Sequence, residues 1–202
     1  MVKSYLDYLI YTDYYRVTAK TFNMKTKIKT IINYNISAGF RVVYAYRKYK
    51  DSSEKHKLNR IFWKSFYKHI MEKYGVEFPI QVECGSGLII YHPNGIVIHP
   101  NAIFGSNCSI LQQVTIGNSK KDRNIVAHFG NRCMLGAGSK IIGPINVGDD
   151  VSIGAGSVVT RSFSNNVSVG GVPARVLDNK HTPVLYNINY KTYEEWKSGK
   201  EI

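Results

Sequence analysis

From residue 78 onward, large apolar residues recur every six positions, a period that neither an α-helix (3.6) nor a simple strand (2) produces. Phe78, Cys84 and Ile90 are in step. After two extra residues Ile98, Phe104, Ile110 and Ile116 continue the count, and after a polar insertion Phe129, Leu135, Ile141, Val147, Ile153 and Val159 resume it. Two residues before most of these stands a second apolar or small residue, such as Val82, Leu88, Ala102, Cys108, Cys133 or Val151. Glycine often follows the large residue, as at Gly85, Gly105, Gly130 and Gly154, where a side chain would crowd the backbone. Short strands joined by tight turns fit this spacing, three hexapeptides closing one triangular coil. Stacked coils share a continuous core. The expected fold is therefore mainly β: a left-handed parallel β-helix of about five coils. Chance spacing in a β-sandwich is the alternative, and thirteen in-phase positions weigh against it.

Residues 1–75 read differently. "SYLDYLIYTDYYRVT" and "HKLNRIFWKSFYKHIMEKYG" carry apolar residues at helical spacing, and Gly75 is a helix stop. We expect an α-helical region over 1–75 that caps the open end of the solenoid, a β-helix domain over 76–177, and a tail over 178–202 without a readable motif. A cap is needed because an open coil exposes unpaired strand edges.

The net charge is +13, and residues 1–75 hold +11 of it, with 16 Lys and Arg against 5 acids. Such asymmetry suits an anionic partner: an acidic sugar polymer, a membrane surface or nucleic acid. Nucleic acid ranks low, because the basic segment has no zinc-ligand spacing, aromatic ribonucleoprotein motif or glycine clamp. No apolar run reaches the roughly 18–20 residues of a spanning helix, and the start lacks a signal-peptide pattern, so a cytoplasmic location is expected. The three cysteines sit at core slots of the repeat. They read as buried thiols rather than as disulfide partners or a nucleophile.

The two extra residues fall within "GLIIYHPNGIVIHP", residues 87–100, and His92 sits at the break. A histidine in a surface turn usually has no role. One on an irregular rung can instead project into a cleft as a base.

"GLIIYHPNGIVI", "CSILQQVTIG", "IGAGSVVTR" and "GGVPARV" resemble the hexapeptide-repeat acyltransferases, in the serine acetyltransferase branch and its capsule-biosynthesis relatives. "TDYYRVT" and "SAGFRVVYAYR" resemble the helical leader of those relatives. The resemblance implies acetyl-CoA-dependent O-acetyl transfer without a metal, by a homotrimer whose sites are shared between subunits. His92 matches the catalytic base. Its orienting aspartate lies fifteen residues earlier in that branch, which falls here on Glu77, one methylene longer. One coil of rise is expected to bring residues fifteen apart onto neighbouring rungs and so place Glu77 within reach of His92. Backbone N–H groups near Gly117 and Asn118 are candidates for the oxyanion. Galactoside-type acetyltransferases contact the cofactor at positions matching Ala137, Ala155, Thr160, Arg161 and Arg175, while a further arginine of theirs falls on Asp178.

The acceptor is less legible. Serine acetyltransferases carry "GDRHP" in the inserted loop, and this chain reads "KKDRNIVAHFG". Asp122 and Arg123 remain, but asparagine follows them. That departure and the basic leader favour a sugar hydroxyl on a surface polysaccharide or its precursor, with serine as the alternative. A zinc carbonic anhydrase-like trimer using His92, His99 and His128, and a non-catalytic scaffold, complete the alternatives.

Overall fold

The computed structural model describes residues 4–20, 36–52, 56–119, 125–180, 183, 185 and 187–197. From Val76 the chain winds into a left-handed parallel β-helix with three flat faces. The first face stacks Val76–Glu77, Ile96–Ile98, Thr115–Gly117, Lys140–Ile142 and Val158–Val159. Glu83–Cys84, Ile103–Phe104, His128–Phe129 and Asn146–Val147 form the second. The third stacks Ile89–Ile90, Ser109–Ile110, Met134–Leu135, Ser152–Ile153 and Ser168–Gly171, and Ala174–Asp178 adds to it antiparallel.

Why these residues wind this way follows from their burial. Ile90, Ile98, Phe104, Ile110, Ile116, Leu135, Ile141, Ile153 and Val159 all point inward and are buried. The residues two positions earlier fill the small inward slots beside them. Each aliphatic side chain so buried contributes roughly 1.5–3 kcal/mol. Phe104 and Phe129 stack on consecutive rungs, centroids 4.9 Å apart and planes within 6°. Cys108 and Cys133 are buried, their thiols donating to the carbonyls of Gly130 (3.3 Å) and Gly148 (3.1 Å). Cys84 differs from expectation: it is half-buried, because it lies on the first coil, where helices rather than another coil cover the interior.

The covering helices are α1 (Tyr5–Thr18), α2 (Ala38–Ser52) and α3 (Lys57–Tyr74). Gly75 ends α3 in the left-handed region (φ 61°), its N–H bonding the carbonyls of Glu72 and Met71. Val42, Val43, Tyr46, Ile70 and Met71 join the solenoid interior in one continuous core. Gly39 brings α2 against the third face: a Cβ there would overlap the Ile90 carbonyl oxygen. Gly39→Ala is therefore expected to lower stability by about 2 kcal/mol or more, read as a shifted denaturant midpoint at unchanged slope.

The "TDYYR" stretch of α1 explains itself here as a polar clip. Thr12 Oγ1 accepts from Gly87 N (3.1 Å), and Asp13 accepts from Leu88 N (2.8 Å). Arg16, 1% exposed, donates to the carbonyls of Gly87 (2.6 Å) and Cys108 (3.2 Å) and to Ser109 Oγ (3.3 Å). From α2, Arg47 pairs with Asp13 (Nε to Oδ2, 3.0 Å) and donates to the carbonyls of Cys84 (2.8 Å) and Gly85 (2.5 Å). Burial by itself would lower the pKa of Arg47. The Asp13 carboxylate outweighs that and holds it above its ordinary value, while burial pushes the Asp13 carboxyl up against the pull of Arg47.

Candidate functional site

Each turn from the third face to the first uses one left-handed residue. Gly95, Gln113, Gly138 and Gly156 take that place on successive rungs, with φ between 59° and 71°. Hydrogen bonds stack the turns: Gln113 N to Asn94 O, Gly138 N to Gln112 O, and Gly156 N to Ala137 O. In the first coil the two extra residues swell this corner. His92 lies in the swelling, exposed, and adds a second left-handed residue (φ 50°) directly before Pro93. For a non-glycine residue that conformation costs about 1–2 kcal/mol. Such strain persists where surrounding structure enforces it, often at functional sites.

The corner carries more than His92. Ala137 and Ala155 follow it along the prism edge, about 10 and 14 Å above the Asn94 rung at ~4.8 Å per rung. Gln112 lies on the same edge, and its Oε1 is buried without a partner among the described residues. Gly117 and Asn118 lie at the opposite edge of the first face, with Thr160 and Arg161 two rungs above them. Crossing the face from Gln112 to Gly117 takes roughly 15 Å of strand. Six of the seven expected cofactor residues thus form two columns flanking one face, and a single chain does not bring its own Gly117 to its own His92. Arg161 is exposed, its guanidinium 5.4 Å from the Phe163 ring centroid. Arg175 lies apart from both columns on the final antiparallel strand, exposed, with Nη1 donating to the Ala174 carbonyl (2.9 Å).

Glu77 is exposed on the first face, and its neighbour on the next rung is Val97. The register steps from Val76 to Ile96, twenty residues, because the swollen corner lengthens this coil. An ordinary rung takes eighteen residues, as from Val97 to Thr115, so fifteen do not make one rung on either kind of coil. Among the described residues no hydrogen bond or ion pair joins Glu77 to His92. His99 and His128 lie on other parts of the prism, His99 after the Ile96–Ile98 strand and His128 on the second face. No three metal-ligating side chains come together among the described residues. Asp122 and Arg123 fall outside the described residues. No described helix is long and apolar enough to cross a membrane.

Beside His92 opens a cavity of ≈450 Å³ between the start of α2 and the swollen corner. Arg16, Ser37, Gly39, Tyr91 and His92 line it, with Asn187 from the tail. Sequence reasoning missed this tail contribution. Asn187 Nδ2 donates to the Arg16 carbonyl (3.1 Å), and Tyr190 Oη donates to Asn107 Oδ1 (2.6 Å). Partners 171 and 83 residues apart leave no local pattern to read.

Residues 127–161 match the family model described as bacterial transferase hexapeptide (six repeats). The chain is 40% identical to a serine acetyltransferase of Synechococcus elongatus over 51% of its own length and 43% of that protein. It is 31% identical to the serine acetyltransferase of Buchnera aphidicola over 74% of its length and 54% of that protein. It thus spans about half the length of these curated relatives. Among solved structures, the serine acetyltransferase of Brucella abortus in complex with coenzyme A superposes with a TM-score of 0.69, at 26% identity over 87% of this chain and 68% of that one. The repeat, its swollen histidine corner and these likenesses converge: the chain belongs to the hexapeptide-repeat acyltransferase family, in its serine acetyltransferase branch.

Proposed function

We propose that this chain is an acetyl-CoA-dependent O-acetyltransferase with His92 as its general base. The observation that carries the proposal is the position of His92: strained, exposed, at the foot of a column of small residues and at the mouth of a cavity. A hydroxyl is a poor nucleophile at neutral pH. The neutral imidazole takes its proton as the oxygen attacks the thioester carbonyl. The carbon–sulfur bond then breaks, and the proton passes to the departing thiolate. Base assistance of this kind is worth roughly 10²–10⁴-fold.

A coenzyme A donor is supported by the complex formed by the Brucella relative and by the edge above His92. Ala137 and Ala155 leave room for a thin arm, and the unpartnered Gln112 Oε1 is an acceptor that an amide N–H of such an arm would satisfy. The oxyanion is assigned to the N–H groups of Gly117 and Asn118 of a second copy, since one chain holds them across the face from His92. A homotrimer pairing the two edges completes the site, and sedimentation should give three times the chain mass. Glu77 is kept as the orienting carboxylate, to be brought to the ring when the site is occupied. A cytoplasmic location, where acetyl-CoA is available, is part of this reading. Arg161 and Arg175 are assigned to the cofactor's phosphates. Arg175→Ala is expected to raise the KM for acetyl-CoA more than it lowers kcat, and the reverse pattern would remove the phosphate contact.

For the acceptor, the names of the relatives favour L-serine over a polysaccharide sugar. The sugar reading retains two observations: the loop departs from the serine-type sequence after Arg123, and residues 1–75 carry +11, suited to an anionic polymer or membrane surface. Acetyl-CoA consumption with L-serine against a panel of sugars tests the proposal. A scaffold would consume none with any acceptor.

A further inference from the structure

We infer that the cavity beside His92 is the acceptor site, that it takes a sugar-sized, hydroxyl-rich acceptor without a cationic amine, and that Asn187 of the tail determines its specificity. The inference rests on His92 being the base, because only then must the reacting hydroxyl enter here. Three observations carry it. The first is size. L-Serine would fill a small part of ≈450 Å³, whereas ligand sites enclose most of their ligand, and a hexose or a disaccharide unit fits that volume better.

The second is charge. The described lining contains no carboxylate, and its permanently charged member is Arg16, which donates to the carbonyls of Gly87 and Cys108 and to Ser109 Oγ. Asp13, the acid one turn before Arg16, is engaged by Arg47 and Leu88 N. An ammonium entering this cavity would lose water and find no counter-charge on the described lining. The hydroxyls of Ser37 and Tyr91 and the Asn187 amide are neutral hydrogen-bonding groups, which sugar hydroxyls match.

The third is the way Asn187 is held. Its amide is anchored on the Arg16 carbonyl, and three residues later Tyr190 meets both Asn107 Oδ1 (2.6 Å) and Ser86 Oγ (3.2 Å). The tail is tied at both points, so Asn187 is a fixed wall of the cavity.

The test uses the full chain at saturating acetyl-CoA. Rates are measured with L-serine, glucose, galactose, N-acetylglucosamine and galacturonate. Binding of the same compounds is followed by saturation-transfer NMR. Asn187→Gly removes the amide while tolerating the left-handed backbone there (φ 54°). A hexose is expected to exceed L-serine in kcat/KM by about tenfold or more, with Asn187→Gly raising the hexose KM about tenfold and moving the acetyl-CoA KM less than about twofold. A general loss of structure would instead move both Michaelis constants together, and that result overturns the role of Asn187. L-Serine preferred by a similar factor, or no hexose bound, overturns the acceptor class. Hexose binding weakened by Asn187→Gly, with no acetyl transfer to any acceptor, would leave the cavity assignment standing and remove the proposed reaction instead.

Discussion

His92→Ala is expected to lower kcat for acetyl transfer by roughly 10²–10⁴-fold while coenzyme A affinity and assembly stay unchanged. The ring is exposed and makes no hydrogen bond among the described residues, so its removal takes little from the fold. What is lost is the group that accepts the proton as the hydroxyl attacks. Because alanine also resists the left-handed conformation, His92→Asn provides a second variant. Asparagine tolerates that backbone and cannot serve as the base. Both variants should fall together in kcat. Wild-type turnover in either would remove His92 from the reaction. If only His92→Ala lost activity, the shape of the corner rather than its imidazole would be the requirement.

Arg47→Ala carries the other large expectation, on stability. Arg47 is 4% exposed and holds Asp13, 1% exposed by side chain, together with the carbonyls of Cys84 and Gly85. Removing it leaves a buried carboxylate with less than its full set of partners. Breaking such a pair from one side costs about 3–5 kcal/mol. For a chain of this size that lowers Tm by roughly 6–20 °C. Asp13→Asn together with Arg47→Met should recover part of the loss, since the charge is then removed from both sides. A loss below about 1 kcal/mol for Arg47→Ala would mean that the helices are held by apolar packing alone. The clip also bears on function. Arg16 belongs to it and forms part of the cavity beside His92, so a loosened clip should weaken acceptor binding before it unfolds the protein.

The solenoid was legible because its signal is periodic. Ile110, Leu135 and Ile153 announce their burial by spacing, as every rung repeats one demand for an inward aliphatic. The two-residue break announced His92 for the same reason, as a departure from a count. Glu77 shows the limit of counting. An ordinary coil takes eighteen residues and the swollen one twenty, so a count of fifteen does not carry Glu77 to the rung position of His92. The clip was visible as "TDYYR" but not as a clip, because the partners of Arg16 lie 71 to 93 residues away. Asn187 gave no signal at all: a lone amide in an irregular tail gains meaning only from the wall it completes. The division of Gly117 and His92 between two edges was equally hidden, since spacing along a chain does not say which corner of a prism a residue reaches.

The most direct measurement is a structure of the assembled protein with coenzyme A bound. The cofactor's sulfur should lie within about 4 Å of the His92 imidazole, with its arm running along the edge that carries Gln112, Ala137 and Ala155. A sulfur placed away from His92 in every pairing of chains would contradict the assignment of His92 as the base.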